Sequence, residues 1–287
     1  MSFVDTPRMQ TASDGRMRLT HGPIDVILTA EGPAPAAGAA LGRARDAFGP
    51  ILAELCDELP RLRQPHGPAP QGSVARRMHA AAARFAPAFV TPMAAVAGSV
   101  ADHLLAAMLA PGHGLSRAHV NNGGDIALYT RAAPLRLAIC EDPATRAPGA
   151  RALIGPDDGV GGVATSGWRG RSYSMGIADA VTVLARDAAM ADVAATLVAN
   201  AVDLPGHPAI TRQRACDLSP DSDLGARLVT TAVGPLRPQD VSAALDAGGA
   251  LAQDLVDRGL IRAACLALGG HRIALGHHIE TKEIPNA

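Results

Sequence analysis

Apolar and polar positions along the chain fall into two rhythms. Between Met17 and Ala30, β-branched and polar residues are arranged around Gly22-Pro23, the pattern of a hairpin. From Ala37 to Arg63 the spacing becomes helical, with Phe48, Ile51, Leu52, Leu55 and Leu59 marking an apolar face. Residues 64–74 are rich in Pro and Gly and predict a connection. A second helix is expected from Thr91-Pro92, with Thr91 as N-cap and Pro92 at the first helical position. Val96, Val100, Leu104 and Met108 form its buried stripe, and Asp102-His103 read as its polar face. Gly98 interrupts this helix at a cost of about 1 kcal/mol relative to Ala, which close approach by a neighbouring backbone or ligand would explain.

Two strand-like runs follow in Arg117–Tyr129, broken at Gly123-Gly124, and Leu135–Cys140 suggests another strand. Arg151 to Gly162 end in a glycine-rich loop. Ala180–Ala185 read as a strand, and Asp187 can cap a helix from Ala188 to about Ala201. A helix over Gln239–Arg258 and a strand pair, Cys265–Leu268 with Arg272–Leu275, complete the pattern. Strands and helices mix without strict alternation. The expected class is α+β, with a mixed or antiparallel sheet backed by the 92–110 and 188–201 helices. Residues 1–287 are read as a single domain with a motif-bearing core over 90–200, and 1–85 as a candidate N-terminal subdomain.

Composition narrows the partners. The 287 residues are 48% hydrophobic and 18% charged, which supports a packed core, and one Trp, two Tyr and four Phe make that core aliphatic. A net charge of -1 gives no electrostatic drive toward nucleic acid or an anionic membrane. Cys56, Cys140, Cys216 and Cys265 lie far apart, without a Cys-x-x-Cys pair, so a zinc ribbon is excluded and a reducing compartment expected. Met1–Gln10 lacks the basic head and apolar run of a leader, and no segment has the uninterrupted apolar length of a membrane span. A cytoplasmic protein is the expectation.

Several segments could carry chemistry. Gly159-x-Gly161-x-x-Ala164, followed by Asp179, fits a permissive dinucleotide fingerprint, but Thr165-Ser-Gly-Trp-Arg-Gly-Arg171 favours turns where that fingerprint must open a helix. In Asn121-Asn122-Gly123-Gly124-Asp125, paired glycines permit positive φ and close ligand approach; a β-bulge with an Asx-type turn is the plainer reading of this segment taken alone. Thr165, Ser166, Gly167, Trp168 and Arg169 gather hydroxyls and a cation around the only tryptophan, with Tyr173 nearby. They form either a stacking surface for a flat ring or an exposed loop packed on its own base. Asp192 and Thr196, four apart, project from one helix face as hard oxygen donors suited to Mg²⁺; local bonding of Thr196 to its own i−4 carbonyl is the plainer alternative. His271, His277 and His278 near Glu280 match no closed metal-site spacing.

Taken together these segments resemble the ApbE superfamily of FAD:protein FMN transferases, and look closest to its short branch. Ala94 to Asp102 is similar to the family's Ala-x-x-x-Gly-x-x-x-Asp helix, Asn122-Gly-Gly-Asp125 to its glycine-pair turn, Thr165-Ser-Gly167 to its Thr-Ser-Gly turn, and Val181 to Thr196 to its strand followed by Ala-Asp-x-x-x-Thr. The resemblance implies Mg²⁺ ligated by Asp192, Thr196 and a backbone carbonyl near Ala94. It also implies an FAD or FMN site lined by Asn122, Gly123, Gly124, Asp125, Thr165, Ser166, Gly167 and Trp168. The implied chemistry is transfer of FMN from FAD to a threonine of an acceptor protein, or cleavage of FAD.

One stretch departs from the pattern. Where the transferases carry His-x-x-Asp-Pro-x-x-Gly, this chain reads Ser174-Met-Gly-Ile-Ala-Asp-Ala180, leaving Asp179 as the one carboxylate there and the catalytic candidate. Two alternatives follow. The chain is a non-catalytic flavin or nucleotide binder, or an enzyme acting on another heteroaromatic substrate through Arg169 and Arg171.

Overall fold

The computed structural model describes residues 6–140 and 148–281, so the first five residues of the stretch read for a leader lie outside it. The chain opens with β1 (Arg8–Thr11), β2 (Met17–His21) and β3 (Ile24–Glu31). Gly22, at φ 54°, turns β2 into β3 as the hairpin reading expects. The single helix expected over 37–63 is instead α1 (Ala34–Phe48), α2 (Ile51–Asp57) and α3 (Leu59–Leu62). Proline explains the breaks: Pro50 stands at the N-cap of α2 and Pro60 in the first turn of α3, where a missing N–H is harmless. After the connecting loop, α4 (Ser73–Ala83) buries Val74, Ala75, Met78, Ala81 and Ala82, a helix the sequence reading lacked.

Pro92 opens not the helix but a 3-10 turn, Pro92–Ala95, and Thr91 makes no side-chain cap bond. Helix α5 (Val96–Met108) starts after it. Then come β4 (Arg117–Asn122), β5 (Asp125–Thr130), β6 (Leu135–Cys140), β7 (Pro148–Ile154) and β8 (Gly162–Ser166). The glycine pattern at 159–164 therefore runs into a strand, and the dinucleotide fingerprint lacks its helix. Strand β9 (Ala180–Ala185) is buried throughout and leads to α6 (Ala188–Ala201), both as expected. The remainder is β10 (Ile210–Arg214), α7 (Ala215–Leu218), β11 (Leu228–Val233), α8 (Pro238–Asp257), β12 (Ala263–Leu268), β13 (His271–Gly276) and β14 (Ile279–Thr281).

These elements form two compact units interleaved in sequence. The first comprises Met1–Ala133, Gly155–Ala164 and Ala185–Val193. Within it β1, β2, β3, β4 and β5 pair antiparallel in order, and β5 continues onto Gly162 and Val163 of β8. Helix α5 packs on α1, β4 and β5, burying Val100, Leu104 and Met108 completely. The second comprises Pro134–Ile154, Thr165–Leu184 and Ala194–Ala287. Here β12 pairs antiparallel with β9 and β13 under α8, β7 pairs with β6 and β14, and β10 with β11. Helices on antiparallel sheet make the α+β class. Among the described residues, no helix is long and apolar enough to cross a membrane.

Candidate functional site

The glycine pair in the first unit makes a tight hairpin rather than a bulge. Asn122 pairs directly with Asp125 across Gly123 (φ 68°) and Gly124 (φ 114°). A two-residue turn with positive φ at both centres fits the twist of the flanking strands, and glycine adopts it without steric cost. The Oδ1 of Asn121 accepts from the Gly124 amide at 2.9 Å, the Asx-type contact read from the sequence. Asn122 is buried, and its Nδ2 donates to the Ala97 carbonyl at 3.1 Å, fixing the hairpin tip to the first turn of α5.

Helices α5 and α6 cap each other. The N-cap of α5 is Ala95, which offers no side-chain acceptor; instead Gly98 donates its amide to Asp192 Oδ2 on α6 at 3.0 Å. At the start of α6, Asp187 Oδ1 accepts from Met190 at 2.8 Å, as its capping role requires. The preceding amides, of Ala188 and Ala189, donate to Asp102 of α5 at 3.0 and 2.9 Å. Asp102 is therefore not polar surface but buried, at 8% exposure. The contact is close enough to demand glycine: a Cβ on Gly98 would lie 2.2 Å from the Ala188 carbonyl oxygen, and one on Gly162 2.1 Å from the Ala188 nitrogen.

These carboxylates sit uneasily. Burial pushes the Asp102 carboxyl up from its ordinary 3.8 to about 6, against the pull of the Ala188 and Ala189 amides. Asp192 is held well above the usual range, first by desolvation and then by the charge of Asp125, with the Gly98 and Ala97 amides opposing. Among the described residues, neither Asp102 nor Asp192 makes an ion pair. Thr196 stands one helical turn beyond Asp192 and is partly exposed. Ala94 lies in the 3-10 turn, with its amide bonded to Thr91. No group of three His, Cys, Asp or Glu side chains among the described residues is arranged around a metal position, so an ion here would need hydroxyl, carbonyl or water oxygens as well. The histidines near Glu280 are not gathered into one either.

In the second unit, Thr165 and Thr182 join hydroxyls at 2.8 Å. Ser166 is partly exposed and Gly167 buried. Asp179 Oδ1 accepts from Arg169 Nε at 2.6 Å and Trp168 Nε1 at 3.3 Å, while Oδ2 accepts from the Gly269 amide at 2.7 Å. The Arg169 guanidinium lies 4.8 Å from the Trp168 ring centroid, a cation–π contact. A Cβ on Gly167 would meet the Asp179 carbonyl oxygen at 2.4 Å. Both oxygens of the Asp179 carboxylate are thus engaged in tying down the Trp168 loop. A cavity of about 220 Å³, lined in part by Arg169, Asp179, Leu268, Gly269 and His271, adjoins it. That is below the 300–1,000 Å³ common for small-molecule sites. A larger cavity of about 500 Å³, in the first unit, is lined by Gln10, Thr11, Ala12, Arg16, Met17, Arg18 and Ile27 and touches none of the candidate residues.

A protein-family model described as AbpE bacteria matches residues 8–275. The chain belongs to that family. Its relatives include proteins named UPF0280 protein. The one from Methanosphaerula palustris is 42% identical over 138 residues, covering 48% of this chain and 54% of that protein. The one from Methanothrix thermoacetophila is 42% identical over 114 residues, 39% of this chain and 46% of that protein. The chain thus spans about half the length of these curated relatives. Two solved structures align along most of it. The apo flavinyl transferase ApbE of Pseudomonas stutzeri has 15% identity and a TM-score of 0.44 over 95% of each chain. The ApbE protein of Thermotoga maritima has 13% identity and a TM-score of 0.44, covering 93% of this chain and 96% of that one. The AbpE-family chain keeps the ApbE-like resemblance read from its motifs. Asp102 is the residue sequence reasoning misplaced, although its four-residue spacing from Gly98 puts both on one helix face.

Proposed function

We propose that this AbpE-family chain binds a flavin nucleotide, FAD or FMN, through a Mg²⁺ ion held at Asp192, and acts as a flavin transferase-like enzyme in the cytoplasm. The observation that carries the reading is the state of Asp192. Its carboxylate is desolvated, oriented by the Gly98 amide and raised further by Asp125, so a divalent cation would relieve the strain that neutral amides leave. The donor chemistry fits Mg²⁺, which takes few protein oxygens and keeps sites for water and phosphate. Asp192 and Thr196 would hold the ion, with the Ala94 carbonyl as a third ligand. When bound, the ion supplies charge stabilisation to a pyrophosphate whose P–O bond breaks. Within the first unit, Asn122, Gly123, Gly124 and Asp125 of the hairpin would orient the nucleotide. Asp179 holds Trp168 in place, and the acceptor would be a protein threonine.

A second reading, a flavin-binding protein without transfer chemistry, is favoured by one further observation. The segment replacing the family's His-Asp-Pro stretch is structural. Ser174 is buried, its carbonyl accepts from Thr230, and Asn200 Oδ1 accepts from the Met175 amide at 2.8 Å. Titration of flavin-free protein with FAD, with and without Mg²⁺, tests the binding that both readings share. Mg²⁺-dependent binding lost in Asp192→Ala supports the site; no binding in either condition removes it. FMN found covalently on an acceptor threonine decides for transfer.

A further inference from the structure

We infer that Asp102 is a positioning residue for the metal-holding carboxylate: it seats the N-terminus of α6 so that Asp192 meets both the α5 amides and the ion. The inference rests on the reading of Asp192 as a Mg²⁺ ligand. It begins from the way two four-residue spacings meet. Gly98 and Asp102 share one face of α5, and Ala188 and Asp192 share one face of α6. Gly98 receives the Ala188 carbonyl and gives its amide to Asp192; Asp102 receives the Ala188 and Ala189 amides.

Each contact constrains a different freedom. The first amides of any α-helix lack an intrahelical partner. Asp187 takes care of Met190, leaving Ala188 and Ala189 for a carboxylate supplied from outside. With both Asp102 oxygens occupied, α6 can neither slide nor rotate against α5 without losing a bond. One residue of slide is about 1.5 Å, enough to carry Asp192 out of reach of the Gly98 amide. A local serine or threonine cap would satisfy the same amides but would not tie them to the helix that orients Asp192. The charge of Asp102 also adds to the negative potential that a cation meets at Asp192.

The test uses the full chain and Mn²⁺ alone as probe, with affinity read by electron paramagnetic resonance and helix seating read by hydrogen exchange at the Ala188 and Ala189 amides. Asp102→Ala should weaken Mn²⁺ binding 10- to 100-fold, the range typical of residues that orient a ligand, and expose both amides to exchange. Asp102→Asn, which keeps one acceptor oxygen, should fall between, and it carries the test if the alanine variant does not fold. Arg43→Ala is the control. Arg43 donates to the Ala107 and Met108 carbonyls at the far end of α5, so its loss should lower the melting temperature and leave Mn²⁺ affinity unchanged. Wild-type Mn²⁺ affinity in the Asp102 variants, or equal weakening by Arg43→Ala, overturns the positioning role alone. Wild-type protein that binds no Mn²⁺, or binding indifferent to Asp192→Ala, overturns the metal reading and this inference with it.

Discussion

In the first unit Gly98 admits the Ala188 carbonyl while Asp102 and Asp192 take the helix amides. In the second, Gly167 admits the Asp179 carbonyl while the Asp179 carboxylate takes the Gly269 amide. Both clasps combine a glycine, whose missing side chain lets backbones touch, with an aspartate that accepts an amide. They differ in charge. Asp179 also accepts from the Arg169 guanidinium, at 2.6 Å, so its negative charge is matched within the unit. Asp102 and Asp192 have neutral amides as bonding partners, and Asp125 adds a like charge at Asp192. A carboxylate tied to a cation has done its structural work; one desolvated against dipoles and a like charge leaves room for an ion.

The strongest way to break the comparison is to fill the glycines. Gly98→Ala places Cβ 2.2 Å from a backbone oxygen, and Gly167→Ala 2.4 Å from another. Neither oxygen can swing away as a side chain would, so each variant should lose about 3 kcal/mol or fail to fold. Gly38→Ala, in the exposed interior of α1 with nothing within 4 Å, should instead gain up to about 1 kcal/mol. Urea denaturation of the three variants checks this. Wild-type stability in Gly98→Ala would mean the two helices do not meet as described.

Proton linkage sharpens the comparison next. Asp102 titrates at about 6 when folded, above its ordinary 3.8, so the folded state holds the proton more tightly than the unfolded chain. The resulting stability is fully present below about pH 4 and is lost as pH rises through 6, up to about 3 kcal/mol for a shift of this size. The raised Asp192 carboxyl acts in the same direction. Metal-free protein in EDTA should therefore lose stability between pH 4 and 6, relative to Asp102→Asn, and Mg²⁺ should restore part of it at pH 7. Paired melting curves across this range test the sign; parallel curves for wild type and variant would refute it.

The second clasp has a smaller expected effect and a convenient reporter. Asp179→Ala removes the acceptor for Trp168, Arg169 and Gly269. Arg169 is half exposed and Gly269 is exposed, so water replaces their lost bonds at little cost, and the loss should be about 1 kcal/mol, mainly from the part-buried Trp168 indole. Trp168 is the chain's only tryptophan, so its emission should shift to longer wavelength as the loop loosens. An unmoved spectrum with unchanged stability would dissolve the clasp.

What could be read in advance followed the range of the forces involved. Strand β9 and helix α6 were legible because an apolar run and the Asp187 cap are local signals. Gly98 announced a close approach because a glycine inside a helix needs a reason. Helix α4 escaped because its buried face is largely Ala behind a Pro/Gly loop, and the β10–β11 ribbon because its strands alternate with Arg, Gln and Thr. At the site, Asp192, Thr196 and the glycine hairpin were visible as donor types at suggestive spacing. The partners of Asp102 were not, since they are backbone amides 86 and 87 residues away and any residue type carries those.

The smallest expected effect asks whether the first clasp is short of partners or merely of cations. Ser99 follows Gly98 on α5 and is fully buried, and among the described residues its hydroxyl has no hydrogen-bond partner. A buried hydroxyl without a partner costs free energy, and removing it leaves only a small void. Ser99→Ala should therefore change stability by less than about 1 kcal/mol, with gain more expected than loss, and leave Mn²⁺ affinity as it was. A loss above that, seen by urea denaturation in metal-free protein, would show that the hydroxyl is satisfied by a bound water. Buried water would then belong to the packing of α5 next to Gly98, and the contrast with Asp179 would rest on hydration as much as on charge.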